Sequence, residues 1–266
     1  MLFYILIGTV CFFSSYFFTP IVINFATRRK IFDNPNSRKQ HINPIPRLGG
    51  LSIFVSISIC FFILFIFERN LFFKSTTEAL TIYICCASFF ILGFFDDLRS
   101  LSPYIRLFFQ FLFSTISFFG VAKFEGFYFS LNYLNDFLPL SYSLLSFFCT
   151  VIWTVGVINA INWIDGIDGL LIGLTCIYSF TFALISFLNN NYLQLIISIG
   201  MLSACLGLLK FNKPPAKIMT GDGGSYLIGF YLSSSLLNIG QDSGVVNPFL
   251  LVSLIFIPLM DMIRVI

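Results

Sequence analysis

Apolar residues run through this chain in long unbroken stretches, separated by short polar clusters. Nine stretches approach the roughly 20 residues an α-helix needs to cross a hydrocarbon core of about 30 Å. Their approximate limits are 2–26, 48–67, 77–95, 104–122, 142–160, 167–188, 192–209, 224–239 and 248–266. A membrane β-barrel would show weak alternation in segments of about ten residues. These stretches are continuously apolar, so the pattern predicts helices whose main-chain hydrogen bonds close within each span. The first stretch is followed by no small-residue cleavage site, and it is expected to be a retained helix and not a removed signal peptide. The predicted fold is all-α: a polytopic membrane helix bundle of about nine transmembrane helices, one integral-membrane domain over residues 1–266.

Composition strengthens that picture. The chain is 58% hydrophobic and 10% charged, with 37 Phe and a mean hydropathy of +0.92. Soluble domains carry about 25% charged residues. The net charge of +3 says little alone, and no basic face with interleaved aromatics points to nucleic acid. The seven cysteines all lie inside predicted spans without metal-ligand spacing, which reads as packing.

The distribution of charge is more informative. The connections on one side carry Arg28, Arg29, Lys30, Arg38, Lys39, Arg47, Arg99, Arg106, Lys210, Lys213, Lys217 and Arg264, leaving Arg69, Lys74 and Lys123 on the other. Basic residues concentrate in cytoplasmic loops, so the first side is predicted to be the cytoplasm, with the N-terminus outside. The same side holds seven acids, all aspartates: Asp33, Asp96, Asp97, Asp165, Asp168, Asp222 and Asp261. All but Asp33 fall at or just inside helix ends. Ionisable groups at membrane depth are expensive and are functional candidates by default.

Four stretches gather these groups. FFDDLRS (94–100) places Asp96 and Asp97 side by side, where like charges raise each other's proton affinity unless a cation lies between them; a divalent metal or a general base accounts for the pair. In NAINWIDGIDGL (159–170), polar residues recur every third position: Asn159, Asn162, Asp165 and Asp168. An unbroken helix would splay these around its axis, but Gly166 and Gly169 predict a break, and a tight turn can aim Asn162, Asp165 and Asp168 into one pocket. GDGGSYLIGF (221–230) sets Asp222 among glycines at a helix start, suited to phosphate and Mg²⁺; FNKPPAK (211–217) precedes it. RKQHINPIPRLGG (38–50) holds the only histidine, His41, with Arg47 nearby, and arginine suits bidentate phosphate contact. The combined inventory fits metal-assisted phosphoryl transfer with a water-soluble substrate from the cytoplasm and a lipid substrate entering between helices.

These stretches resemble the motifs of the polyprenyl-phosphate N-acetylhexosamine-1-phosphate transferase family, the WecA, TagO and MraY types of glycosyltransferase family 4. RKQHINPIPRLGG is similar to its first inner motif, FFDDLRSLSP to its Asp-Asp motif, and FNKPPAKIMTGDGGS to its Phe-Asn-x-x-Pro-Ala and Gly-Asp-x-Gly-Ser blocks. NAINWIDGIDGL, the most specific, matches Asn-x-x-Asn-x-x-Asp-Gly-x-Asp-Gly, and IPLMDMI resembles the start of the last inner motif. The resemblance implies transfer of a sugar-1-phosphate from a UDP-N-acetylamino sugar to a membrane polyprenyl (undecaprenyl) phosphate, giving polyprenyl-diphospho-sugar and UMP, with Mg²⁺ as cofactor. Such a reaction initiates cell-envelope polysaccharides such as the O-antigen of lipopolysaccharide. By the same resemblance Asp222 and Asp97 hold the metal, and Asp96 and Asp97 position or deprotonate the lipid phosphate. Asn162, Asp165, Asp168 and Asn212 line the nucleoside-sugar pocket, Arg47 and His41 border its entrance, and Arg106, Asn159 and Asp261 count among the substrate-binding residues. PIPRLGG and PLMDM favour the WecA/TagO branch, hence UDP-GlcNAc. The implied location is the inner (plasma) membrane with the site facing the cytoplasm, and a homodimer is compatible with it.

Two departures are visible. Tyr104 stands where relatives often carry Lys, and Arg106 is placed to supply that cation. The chain also ends at Ile266 in mid-helix, before the family's His-rich last inner loop. A fragment and a naturally shortened, inactive member are both compatible with that ending. An ion-coupled transporter is the competing class, but its acids would lie near mid-bilayer on broken helices in two repeated halves.

Overall fold

The computed structural model describes residues 2–33, 44–67, 76–121, 139–242 and 256. Eight helices carry almost all of this: α1 (Leu2–Arg28), α2 (Gly50–Phe67), α3 (Thr76–Leu98), α4 (Pro103–Gly120), α5 (Pro139–Ile164), α6 (Leu170–Leu188), α7 (Tyr192–Asn212) and α8 (Gly221–Asp242). Between α1 and α2, two short strands, β1 (Phe32–Asp33) and β2 (Ile45–Pro46), pair antiparallel, Phe32 opposite Pro46.

Local chemistry sets several of the ends. Ser102 caps α4 by accepting the Ile105 N–H, and Pro103 occupies the first turn, where a missing N–H does no harm. Asn191 caps α7 through the Gln194 N–H at 3.1 Å. The break expected within NAINWIDGIDGL is present: α5 stops at Ile164, α6 starts at Leu170, and between them Gly169 takes φ +74°, a region closed to most side chains.

α8 lies at the centre, packed against α2, α3, α5 and α6, while α1 and α7 form a second layer with α2 and α6. Every residue from Gly223 to Ile239 is buried. The outward faces of the surrounding helices carry Phe62, Phe95, Phe108, Phe119, Phe148 and Phe187, each more than half exposed, as expected where lipid replaces water. The cysteines are free, six buried and Cys149 partly so.

The expectation of nine membrane spans needs correction. Among the described residues six helices (α1, α2, α3, α5, α6 and α7) are long and apolar enough to cross a membrane. The stretch 248–266 falls outside the described residues, Phe256 apart. The other two, α4 and α8, are too polar, for a physical reason. α4 buries Gln110, Ser114 and Ser117 and turns Phe108, Phe111 and Phe119 outward. α8 carries Ser233, Ser234, Ser235 and Asn238, all buried, with Ser233 donating to Thr154 and Gln194 donating to Ser235. A helix enclosed by protein needs small and polar contact residues more than lipid solubility.

Backbones touch where α2, α3 and α8 meet. A Cβ on Gly50 would lie 2.2 Å from the Gly224 Cα, and one on Gly93 2.2 Å from the Asp222 carbonyl oxygen. A Cβ on Gly156 would meet nothing within 4 Å. Gly50→Ala is therefore expected to lower stability by about 1–3 kcal/mol through overpacking, whereas Gly156→Ala should be neutral or stabilising by up to about 1 kcal/mol. Thermal unfolding midpoints in detergent check the contrast; equal midpoints would contradict this packing.

Candidate active site

The site forms where the loop before α2 docks on the loop before α8. Met219 N–H donates to the Pro46 carbonyl at 2.8 Å, Gly49 N–H to Met219 at 2.9 Å, and Gly50 N–H to Thr220 at 2.8 Å. Within this pairing Leu48 is held at φ +95°, a strained conformation for a bulky residue and one that clusters at functional sites. Arg47, immediately before it, is fixed by its N–H to the Ile31 carbonyl.

The Arg47 side chain then runs to the first turn of α8. Its Nε lies 2.7 Å from Asp97 Oδ1 and its Nη2 2.8 Å from Asp222 Oδ1, with Asp33 Oδ1 3.9 Å from Nη1. Asp97 is itself an inter-helix cap. Its Oδ1 accepts the Asp222 N–H at 2.8 Å and its Oδ2 the Gly223 N–H at 3.0 Å. The cap of α8 thus comes from the end of α3, and its negative charge complements the positive end of the helix dipole. Gly221 permits the approach: it sits at φ +79°, and a Cβ there would come 2.7 Å from Asp97 Oδ2.

The α5–α6 turn supplies the opposite wall. Asn162 Nδ2 donates to Asp222 Oδ1 at 2.7 Å and to Ser225 Oγ at 2.8 Å. Asp165 Oδ2 accepts the Gly221 N–H at 2.9 Å. Asp168 Oδ2 accepts the Ala216 N–H at 2.9 Å, and Asp168 Oδ1 is buried with no partner among the described residues. Asn212, also buried, donates to the Ile218 carbonyl at 2.9 Å. Asp96 accepts from Leu101 N–H at 2.7 Å and from Arg106 Nη1 at 2.9 Å, while Tyr104 is exposed; Arg106 is the cation beside this acid.

Arg47, Asp97, Asn162, Asp165 and Asp222 thus meet at the start of α8, with the Asp96–Arg106 pair at the α3–α4 corner and Asp168 and Asn212 bracing the 213–220 loop. Asn159 is not among them: its Nδ2 donates to Gln110 Oε1 at 2.8 Å and to the Val155 carbonyl at 2.7 Å, a polar contact between α4 and α5. His41 and Asp261 lie outside the described residues. Asp33, Ser225, Gln110 and Tyr226, which contacts Arg106, were not anticipated. Ser225 ends the Gly-Asp-x-Gly-Ser block; Asp33 had only the signal of a lone acid beside a basic loop.

Charge balance in this cluster is uneven. One guanidinium faces Asp97, Asp222, Asp33 and Asp165; burial works against its charge, but these four carboxylates outweigh that effect and push its pKa up. Burial drives the Asp165 carboxyl well above the usual range, opposed by Arg47 and reinforced by Asp222 and Asp33.

A multi-pass membrane protein with clustered aspartates on a Gly-rich helix start defines a class, and comparison with known proteins identifies it. The model of glycosyl transferase family 4 matches residues 79–240, and the chain belongs to that family. It is 30% identical over 91% of its length to the probable undecaprenyl-phosphate N-acetylglucosaminyl 1-phosphate transferase of Bacillus subtilis, covering 65% of that protein. It is 33% identical over 89% of its length to the undecaprenyl-phosphate alpha-N-acetylglucosaminyl 1-phosphate transferase of Thermotoga maritima, covering 67%. A phospho-N-acetylmuramoyl-pentapeptide-transferase of Clostridium botulinum is 30% identical over 79% of the chain. The chain thus spans about two thirds of the length of the relatives it matches.

A raised carboxyl pKa favours the protonated form in the folded state. Its contribution to stability is complete below the unfolded value of about 3.9 and is lost as pH rises through the folded value. Asp165→Asn cannot ionise and keeps an acceptor for the Gly221 N–H. In EDTA its thermal midpoint should fall less than the wild type's between about pH 5 and about pH 8; parallel profiles would contradict the assignment.

Proposed function

We propose that the protein transfers a sugar-1-phosphate from a UDP-N-acetylamino sugar, UDP-GlcNAc first, to a polyprenyl phosphate such as undecaprenyl phosphate. An oxygen of the lipid phosphate forms a bond to the sugar-bearing phosphorus, the bond between the donor's two phosphates breaks, and UMP leaves. The other product is polyprenyl-diphospho-sugar, the start of a cell-envelope polysaccharide. The carrying observation is the meeting of Asp97, Asp165 and Asp222 around Arg47 at a Gly-rich helix start, in a chain whose relatives bear undecaprenyl-phosphate transferase names. The excess of basic residues on this face supports a cytoplasmic site in the plasma membrane.

The donor set suits Mg²⁺. Among the described residues no group of three acids, histidines or cysteines forms a complete metal cage, but Mg²⁺ typically takes one or two carboxylates and completes its shell with substrate phosphates and water. Asp97 Oδ1 and Asp222 Oδ1 already converge on one cationic group, the Arg47 guanidinium, which marks where positive charge is wanted. Asp222 and Asp97 would hold the ion, which would supply charge neutralisation at the diphosphate.

The chain's own residues do the rest. Asp96, held by Arg106, orients the lipid phosphate at the α3–α4 corner. The α8 N-terminus offers main-chain N–H groups and a favourable dipole to an anion. Asn162 fixes the Asp222 carboxylate. Asp168 and Asn212 hold the 213–220 loop, Asp165 holds Gly221, and the Oδ1 of Asp168, without a partner among the described residues, is an acceptor for the nucleoside.

Membranes holding the full-length protein, given polyprenyl phosphate, a panel of UDP-amino sugars and Mg²⁺ or EDTA, are expected to release UMP with one donor and only with Mg²⁺. Asp222→Asn should reduce that rate by at least about 10²-fold. No release with any donor would overturn the reading, and full activity of the variant would remove Asp222 from it.

A further inference from the structure

The two Oδ1 oxygens that converge on Arg47 are not free, whereas among the described residues Asp97 Oδ2 accepts one N–H, that of Gly223. Asp97 Oδ1 accepts from Arg47 Nε and from the Asp222 N–H. Asp222 Oδ1 accepts from Arg47 Nη2 and from Asn162 Nδ2. Each oxygen therefore already serves two donors, its ordinary complement of lone pairs. A cation approaching either one must displace a donor. The Asp222 N–H belongs to the first turn of α8 and cannot leave without unwinding it. Asn162 is pinned by its second bond, to Ser225. Arg47 alone is a long side chain, a quarter exposed, whose backbone is held independently through Ile31 and through the pairing of its neighbours with Met219 and Thr220.

We propose that Arg47 is a resident counter-cation: it pairs with Asp97 and Asp222 until a nucleotide arrives and is then drawn onto the nucleotide's diphosphate, freeing the Oδ1 oxygens of both carboxylates for the metal. The inference rests on the phosphoryl-transfer reading above. Guanidinium binds phosphate at least as well as carboxylate, in a bidentate fork. Its departure alone would strand buried negative charge, and the arrival of a dication alone would crowd it against the guanidinium. Nucleotide and metal therefore each remove the obstacle to the other. Such coupling is reciprocal: the factor by which nucleotide raises metal affinity is the factor by which metal raises nucleotide affinity. Arg47 thus makes metal loading conditional on the donor, and it does so from the loop that borders the site entrance.

Mn²⁺ serves as the probe, its bound fraction read by electron paramagnetic resonance on the purified full-length protein with and without UDP. In the wild type UDP is expected to lower the Mn²⁺ Kd by at least about tenfold. Arg47→Gln should bind Mn²⁺ without UDP at least about tenfold more tightly than the wild type, with little further gain when UDP is added. Equal Mn²⁺ affinity of the two proteins without UDP would overturn the proposal and leave the metal reading intact. Absence of Mn²⁺ binding under all conditions would overturn both. Should Arg47→Gln fail to fold, the wild-type titration decides by itself: an Mn²⁺ Kd that UDP leaves unchanged contradicts a displaced counter-cation.

Discussion

Buried at the end of one helix, the carboxylate of Asp97 accepts two main-chain N–H groups from the first turn of another, and a guanidinium from a third segment closes the contact. Three stretches far apart in sequence are joined by this one residue. Helix ends leave unsatisfied N–H groups that a membrane interior cannot hydrate. Capping α8 from α3 removes that penalty, and it also sets where Asp222 stands, one residue into the same turn. The rest of the cluster follows from that placement: Asn162 reaches Asp222, Asp165 reaches Gly221, and Arg47 spans the two acids.

Such a junction is poorly suited to stability alone. Burying ions is expensive, and well-packed apolar replacements are often no less stable than a buried ion pair. Among the described residues a single guanidinium faces Asp97, Asp222, Asp33 and Asp165. Strain at Leu48 lies beside it. The proposed function accounts for these features, since its substrates would complete the charge, and the glycines at 50, 93, 221 and 224 let three backbones close around the junction.

Much of this was legible in the amino-acid order. Hydrophobic run lengths located the described helices, because in lipid a span announces itself by continuous apolarity. The break after Ile164 followed from Gly166 and Gly169, and Arg106, singled out as a cation close in sequence to the paired aspartates, lies against Asp96. The number of spans was not legible in the same way, since hydropathy measures contact with lipid and α8 has little. Partner choice was hidden as well. Nothing in a spacing of three distinguishes Asn162, which faces Asp222, from Asn159, which faces Gln110 across α4 and α5. The capping role of Asp97 depends on α8 arriving from 125 residues away, a relation no local pattern encodes. Asp33 joins the cluster because the short β1–β2 pairing sets it opposite Ile45, two residues before Arg47.

Arg47 and Asp97 are directly paired inside the bundle, and a double-mutant cycle tests that pairing without reference to catalysis. Unfolding free energies of the wild type, Arg47→Met, Asp97→Asn and the double variant give the interaction between the two positions. A coupling of at least about 1.5 kcal/mol is predicted, because each single change strands the other charge and the double change does not. Strict additivity, within about 0.3 kcal/mol, would mean the two side chains do not meet.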